Sequence, residues 1–277
     1  MGSIRGGIAA GRTKTPVRPA DPLNQGKNNP RSVWPRSTDV ERAASPASSG
    51  GQWCFNWIEY VPEDTGKSRG ALLKKYLWPK RSIIRVAFLD GVDVVQKMVR
   101  EAAMQWTLYG GGPANLLFSF VPDPELADIR ISFNYRGSWS VLGTSCRSIL
   151  PKSKPTMNFG WLKPATSPDE VRRVVLHEFG HALGMVHEHL NPRVAIDWNR
   201  PAVYDDLKAA PHFWDKATID RNMFDVSPAE EVNSTAFDAR SIMLYPIPAR
   251  WTNNGFSTAL NTGLSRQDFD FIRSQYL

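Results

Sequence analysis

The stretch HEFGHALGMVHEH, residues 177–189, holds four of the five histidines in a 277-residue chain. His177 and His181 lie four apart, so on a helix they share one face, with Cβ atoms about 5–6 Å apart. Two imidazoles placed this way can aim at one point, where a metal ion would sit roughly 2.0–2.1 Å from each nitrogen. A third ligand has to come from beyond the helix. Gly184 permits the necessary turn, because glycine ends helices in a left-handed conformation at little steric cost, and His187 follows it. Three neutral imidazoles around a tetrahedral ion leave one position for water, the pattern of a catalytic zinc site rather than a closed structural one.

Glu178 directly follows the first histidine. A helical step of about 100° places it beside the ion rather than on it. From there it can take a proton from water attacking a carbonyl and pass it to the departing amine. Zinc lowers the pKa of such a water from about 15.7 towards ~7 and polarises the scissile carbonyl. An H-E-x-x-H alone is a moderate signal. The longer H-E-x-x-H-x-x-G-x-x-H found here fixes five residues and is far more specific.

The helix that carries the motif announces its start. In TSPDE, Ser167 is a suitable N-cap, Pro168 suits the first helical position, and Glu170 stands where a capping box needs it. The terminal segment LSRQDFDFIRSQYL predicts a second helix, capped by Ser265 with Asp268 three residues on and docked through Phe269, Ile272 and Tyr276. Between these two, YDDLKAAPHFWDKA reads as helical, and its His212 as ordinary. Upstream, WCFNWIEY alternates like a short strand, IIRVAFL reads as a central strand, and LLFSFV and DIRISF as two more. Asp90 is a candidate cap for a helix in which Val94, Val95, Met98, Ala102 and Trp106 recur at helical spacing.

Charge and composition bound the rest. The net charge of +7 comes from residues 1–81, with 14 Lys/Arg against 6 Asp/Glu, whereas the remainder is close to neutral. No nucleic-acid-binding motif accompanies that excess, so it reads as solvated leader charge and argues against nucleic acid as a partner. Six Pro, six Gly and six Ser with few large apolar residues make residues 1–50 a disordered basic leader by composition. No apolar run approaches the ~18 residues of a membrane span, and no clear signal peptide is visible. Cys54 and Cys146 can pair or stay free, and their spacing excludes a CxxC metal site.

HEFGHALGMVH resembles the signature of the metzincin zinc peptidases, and the Glu188 that follows resembles the astacin type. SIMLY (241–245) is similar to the astacin Met-turn. The resemblance implies Met243 beneath the zinc and Tyr245 as a residue that ligates zinc at rest and hydrogen-bonds the oxyanion during reaction. KYLWPKRSIIRVAFLD, ADIRISF, GSWSVLGT and PTMNFGW resemble the strands of astacin-like domains, with the substrate-binding edge within 136–161. Leu244 stands where that pattern usually has His. Glu188 would either pair with an N-terminus freed by processing or bond within its own domain; His189 reads as structural rather than a fourth ligand.

The expected fold class is α/β (α+β) and metzincin-like: a twisted mixed sheet with an active-site helix, plus an irregular C-terminal subdomain. Residues 51–74 form an extension or linker, and 75–277 the catalytic domain. The expected function is zinc-dependent endopeptidase activity on proteins or peptides, with one Zn2+ held by His177, His181 and His187 and with Glu178 and Tyr245 catalytic. The resemblance favours secretion. Two rivals are a catalytically silent zinc-binding module that holds a peptide or partner, and a basic adaptor worked by the leader.

Overall fold

The computed structural model describes residue 2 and residues 54–57 (as backbone), 76–193, 196–210, 212–226 and 236–277. The leader expected over 1–50 therefore lies outside the described residues, apart from Gly2. The strands are β1 (Cys54–Trp57), β2 (Ile83–Phe88), β3 (Leu117–Phe120), β4 (Ile129–Ser132), β5 (Ser138–Val141) and β6 (Met157–Phe159). They form one sheet in the order β1-β5-β6-β4-β2-β3. Every pairing is parallel except β5 with β6, so the sheet is mixed, as the sequence leads one to expect. Its first strand comes from before residue 75.

Parallel neighbours need a crossover. Helix α1 (Asp93–Ala103) supplies it between β2 and β3. Its buried face is Val95, Val99 and Ala102, continued by Trp106, while Val94 is exposed; Val95, Ala102 and Trp106 are as expected, and Val99 joins the stripe where Val94 does not. Asp90 does not cap α1. Its carboxylate accepts from the Phe133 amide at 2.7 Å and the Ser132 hydroxyl at 2.5 Å, fastening the end of β2 to that of β4, and Val92 stands at the N-cap without a side-chain bond.

Helix α2 (Pro168–Ala182) packs against α1 and β5. Ser167 accepts from the Glu170 amide as expected. The Glu170 carboxylate turns instead to Arg173, at 2.6 and 2.7 Å, and to Trp161 Nε1 at 2.9 Å. An ion pair and an indole donor thus replace the reciprocal half of the expected box. At the other end Gly184 has φ +95°, its amide bonds the His181 carbonyl, and the Met185 amide bonds the Gly180 carbonyl. This pair of bonds is a Schellman turn. Further carbonyls near the helix end are met by aromatic donors from both ends of the domain: Trp78 Nε1 bonds Ala182 at 2.7 Å and the Tyr276 hydroxyl bonds Leu183 at 2.6 Å. Helix α2 is therefore held where its histidines must point.

Beyond α2 the chain is irregular. Helices α3 (Arg200–Lys208) and α4 (Lys216–Ile219) are separate, and a π-helical turn (Asp220–Phe224) follows α4. Val203, Leu207, Trp214, Ile219, Met223 and Phe224 gather with Leu244, Tyr245 and Trp251 in a second small core. Leu244 is part of that core, which accounts physically for an apolar residue at that place. Helix α5 (Arg266–Tyr276) has the complete capping box between Ser265 and Asp268. Ile272 and Tyr276 are buried, whereas Phe269 is only half-buried and Asp268 takes its place on the docking face.

Candidate metal centre

His177, His181 and His187 are all buried and offer ligand atoms within 4.8 Å of one another. Two come from the last turns of α2 and the third from beyond the Schellman turn. His187 Nε2 lies 3.2 Å from His177 Nε2 and 3.1 Å from His181 Nε2. Nitrogens at tetrahedral corners, each roughly 2.0–2.1 Å from one ion, stand about 3.3 Å apart. The spacing fits.

The tautomers fit as well. His177 Nδ1 donates to the Ile242 carbonyl at 2.8 Å, and His181 Nδ1 donates to the Met185 carbonyl at 2.8 Å. A carbonyl can only accept, so each Nδ1 carries the proton and each Nε2 presents its lone pair. A proton on His187 Nε2 serves one of those lone pairs at a time; a cation serves all three rings. Burial holds all three imidazoles below the usual histidine range, His181 at about 4 and the other two well below, with neighbouring histidines adding to the effect at His177 and His187. They are neutral near pH 7, as ligands must be.

The Ser241–Tyr245 segment lies against the motif helix. Ser241 donates to Asp268 at 2.6 Å, the Ile242 amide donates to the same carboxylate at 2.8 Å, and the Met243 amide donates to Ser241 Oγ at 3.0 Å. Asp268 thus closes the α5 capping box and also positions Ile242, whose carbonyl orients His177. Burial raises the Asp268 pKa, partly opposed by those donors. The Met243 sulfur lies against Gly180: a Cβ there would come within 2.4 Å of it. Glycine inside a helix costs about 1 kcal/mol relative to alanine, and this close approach explains its presence. Asp268→Ala strands three donors, so stability should fall by about 3 kcal/mol and zinc affinity by about tenfold or more. Denaturant midpoints and a zinc competition titration check this; unchanged zinc affinity in a destabilised variant would detach the Met-turn anchor from the site.

Glu178 is fully buried on α2 next to His177. Tyr245 is buried too, its ring centroid 4.2 Å from that of His187 and 6.1 Å from that of His177. The five expected site residues therefore share one locality. His189 is not part of the ligand cluster; its Nε2 donates to the Asn222 carbonyl at 2.7 Å. Glu188 bonds within its own domain in this structure, accepting from Asn191 Nδ2 and the Asp238 amide at 3.1 Å each. Burial lifts its pKa to about 7. Cys146 is a free, buried thiol, so of the two alternatives the disulfide is not formed. His212 contributes its carbonyl to Arg136 and lies outside the centre. The roles of Asp268, Gly180 and Asn222 escaped the sequence reading, because each depends on a partner 26 or more positions away.

No protein-family model and no curated protein matches the chain. Solved structures do. A structure of myroilysin is 39% identical with a TM-score of 0.70, over 74% of this chain and 97% of that one. A crystal structure of myroilysin is 34% identical with a TM-score of 0.61, over 88% and 96%. High choriolytic enzyme 1, a hatching enzyme zinc-protease from Oryzias latipes, is 18% identical with a TM-score of 0.46, over 72% and 93%. Among the described residues no helix is long and apolar enough to cross a membrane. With 39% identity spanning nearly all of a myroilysin chain, and with a three-histidine centre shaped for one zinc ion, the chain belongs to the astacin family of zinc metallopeptidases and is a metalloendopeptidase acting on proteins or peptides.

Proposed function

We propose that His177, His181 and His187 hold the zinc ion, that Glu178 moves the proton in peptide hydrolysis, and that Tyr245 steadies the developing oxyanion. The observation that carries this reading is the convergence of three Nε2 atoms, two of them with Nδ1 tied to carbonyls, beside a buried glutamate on the same helix. When bound, the ion supplies Lewis acidity to the scissile carbonyl and to the attacking water.

The protein residues do the rest. Glu178 accepts the water's proton as the carbon–oxygen bond forms and returns it to the amine nitrogen as the carbon–nitrogen bond breaks. Its burial keeps bulk water from competing for that proton. Tyr245 presents a phenol among the ligand rings, and an O–H donor suits an oxyanion. Helix α2 lies against β5, so an extended peptide added to the outer edge of β5 would run alongside the centre, held by backbone bonds. In this structure β1 pairs with that edge in parallel. A substrate using it has to displace β1, and the catalytic unit is residues 75–277.

Cleavage of casein by the purified chain should cease on chelation and return on adding one equivalent of zinc, with product sequencing reading the bonds cut. Persistent cleavage by the metal-free chain would overturn the proposal. A chain beginning at residue 75 should show a lower KM in the same assay; an unchanged KM would remove β1 as a competitor for the edge.

A further inference from the structure

His189 is a buried histidine that the mechanism does not use. It stands in the short 3-10 turn Glu188–Leu190 that follows the third candidate ligand. Its ring is nearly parallel to that of His187, at 5.4 Å and 17°, and stacks on Tyr245 at 5.0 Å and 29°. Tyr245 also touches His187 at 4.2 Å. The phenol ring therefore leans at once on one ligand imidazole and on one imidazole that is not a ligand.

The second of these rings is fixed from outside the centre. His189 Nε2 donates to the Asn222 carbonyl at 2.7 Å. Trp198 meets the ring edge-on at 6.1 Å and 86°. Asn222 lies in the π-helical turn, and its side chain donates back to the Thr218 carbonyl at 2.8 Å. Such turns within helices are uncommon and frequently sit at functional sites. A chain of contacts thus runs from Asn222 in the π-helical turn through His189 to Tyr245.

We infer that His189 is a positioning residue for Tyr245: its ring, clamped by Asn222 and Trp198, sets where the phenol stands between the ligand cluster and the oxyanion. The inference rests on the reading of Tyr245 given above. To donate to the oxyanion, Tyr245 has to populate the pose that reaches it, and a stacked aromatic neighbour contributes to that at a strength worth roughly a 2- to 12-fold change in population.

The test is a double-mutant cycle on the full zinc-loaded chain, with a casein-derived peptide as substrate. His189→Gln keeps an amide donor for Asn222 and removes the ring; His189→Phe keeps a ring and removes the donor. Each is made with Tyr245 intact and with Tyr245→Phe. In the intact background, His189→Gln should lower kcat roughly 2- to 12-fold, with KM and zinc content unchanged, and His189→Phe should recover part of the loss. In the Tyr245→Phe background the effect of His189→Gln should vanish.

An equal loss in both backgrounds overturns the inference, as does loss of zinc from His189→Gln, which would make His189 a prop for the ligands. If Tyr245→Phe alone retains full activity, the failure belongs to the reading of Tyr245 and is told apart by that single variant. A second readout needs no turnover. In protein carrying fluorotyrosine, the Tyr245 fluorine line should be displaced by the flanking imidazoles and should move in His189→Gln. Should neither His189 variant fold, a Tyr245 line at the position of free fluorotyrosine in the parent overturns the inference.

Discussion

Replacing Glu178 by Gln should leave one zinc ion bound and reduce peptide cleavage by about 10²–10⁴-fold. The amide is nearly isosteric with the carboxylate, so packing around this fully buried position changes little. The three imidazoles that form the cluster are untouched by the exchange. What disappears is proton affinity. An amide cannot take the proton from an attacking water or deliver one to the leaving amine, so both bond-making and bond-breaking lose their proton carrier. Zinc content by elemental analysis, together with kcat/KM on a peptide substrate, reads the two halves separately. Full activity in the variant would end the proposed mechanism. Lost zinc would instead place Glu178 among the groups that hold the ion.

Tyr245→Phe is expected to lower kcat by about 10²–10³-fold, the usual effect of removing one oxyanion donor, while KM changes much less. The ring stays: its contacts with His187 at 4.2 Å and His189 at 5.0 Å need no hydroxyl. The substitution therefore removes one O–H from a packed aromatic cluster. A donor used only as negative charge develops stabilises the transition state and not the bound substrate, which is why the loss falls on turnover. A raised KM with unchanged kcat would assign Tyr245 to substrate binding and remove its proposed role.

The clustered histidines were legible in the sequence because their relation is local. A separation of four residues on a helix and one glycine turn direct three imidazoles to one place, and the observed Nε2 spacings of 3.1 and 3.2 Å agree. The helix caps at Ser167 and Ser265 were legible for the same reason. Side chains with a choice of partner were less so. Glu170 can close a capping box or pair with Arg173, and a nearby guanidinium won. Asp90 can cap α1 or hold the end of β4, and two donors at Ser132 and Phe133 outweighed one helix terminus. In the stripe of α1, Val95, Ala102 and Trp106 meet the core as expected, whereas Val99 is buried and Val94 is exposed.

By itself, then, the sequence determined the motif helix, its turn, the three histidines proposed as ligands and the acid beside them, since helical geometry converts spacing into direction. Only the tertiary structure decided that the Ile242 carbonyl sets the His177 tautomer, that Asp268 steadies the Met-turn, that Gly180 makes room for Met243, and that β1 lies along β5. Each of those joins positions far apart in the chain. Such pairings are chosen by packing and by the need to satisfy buried polar groups, and no local periodicity records them.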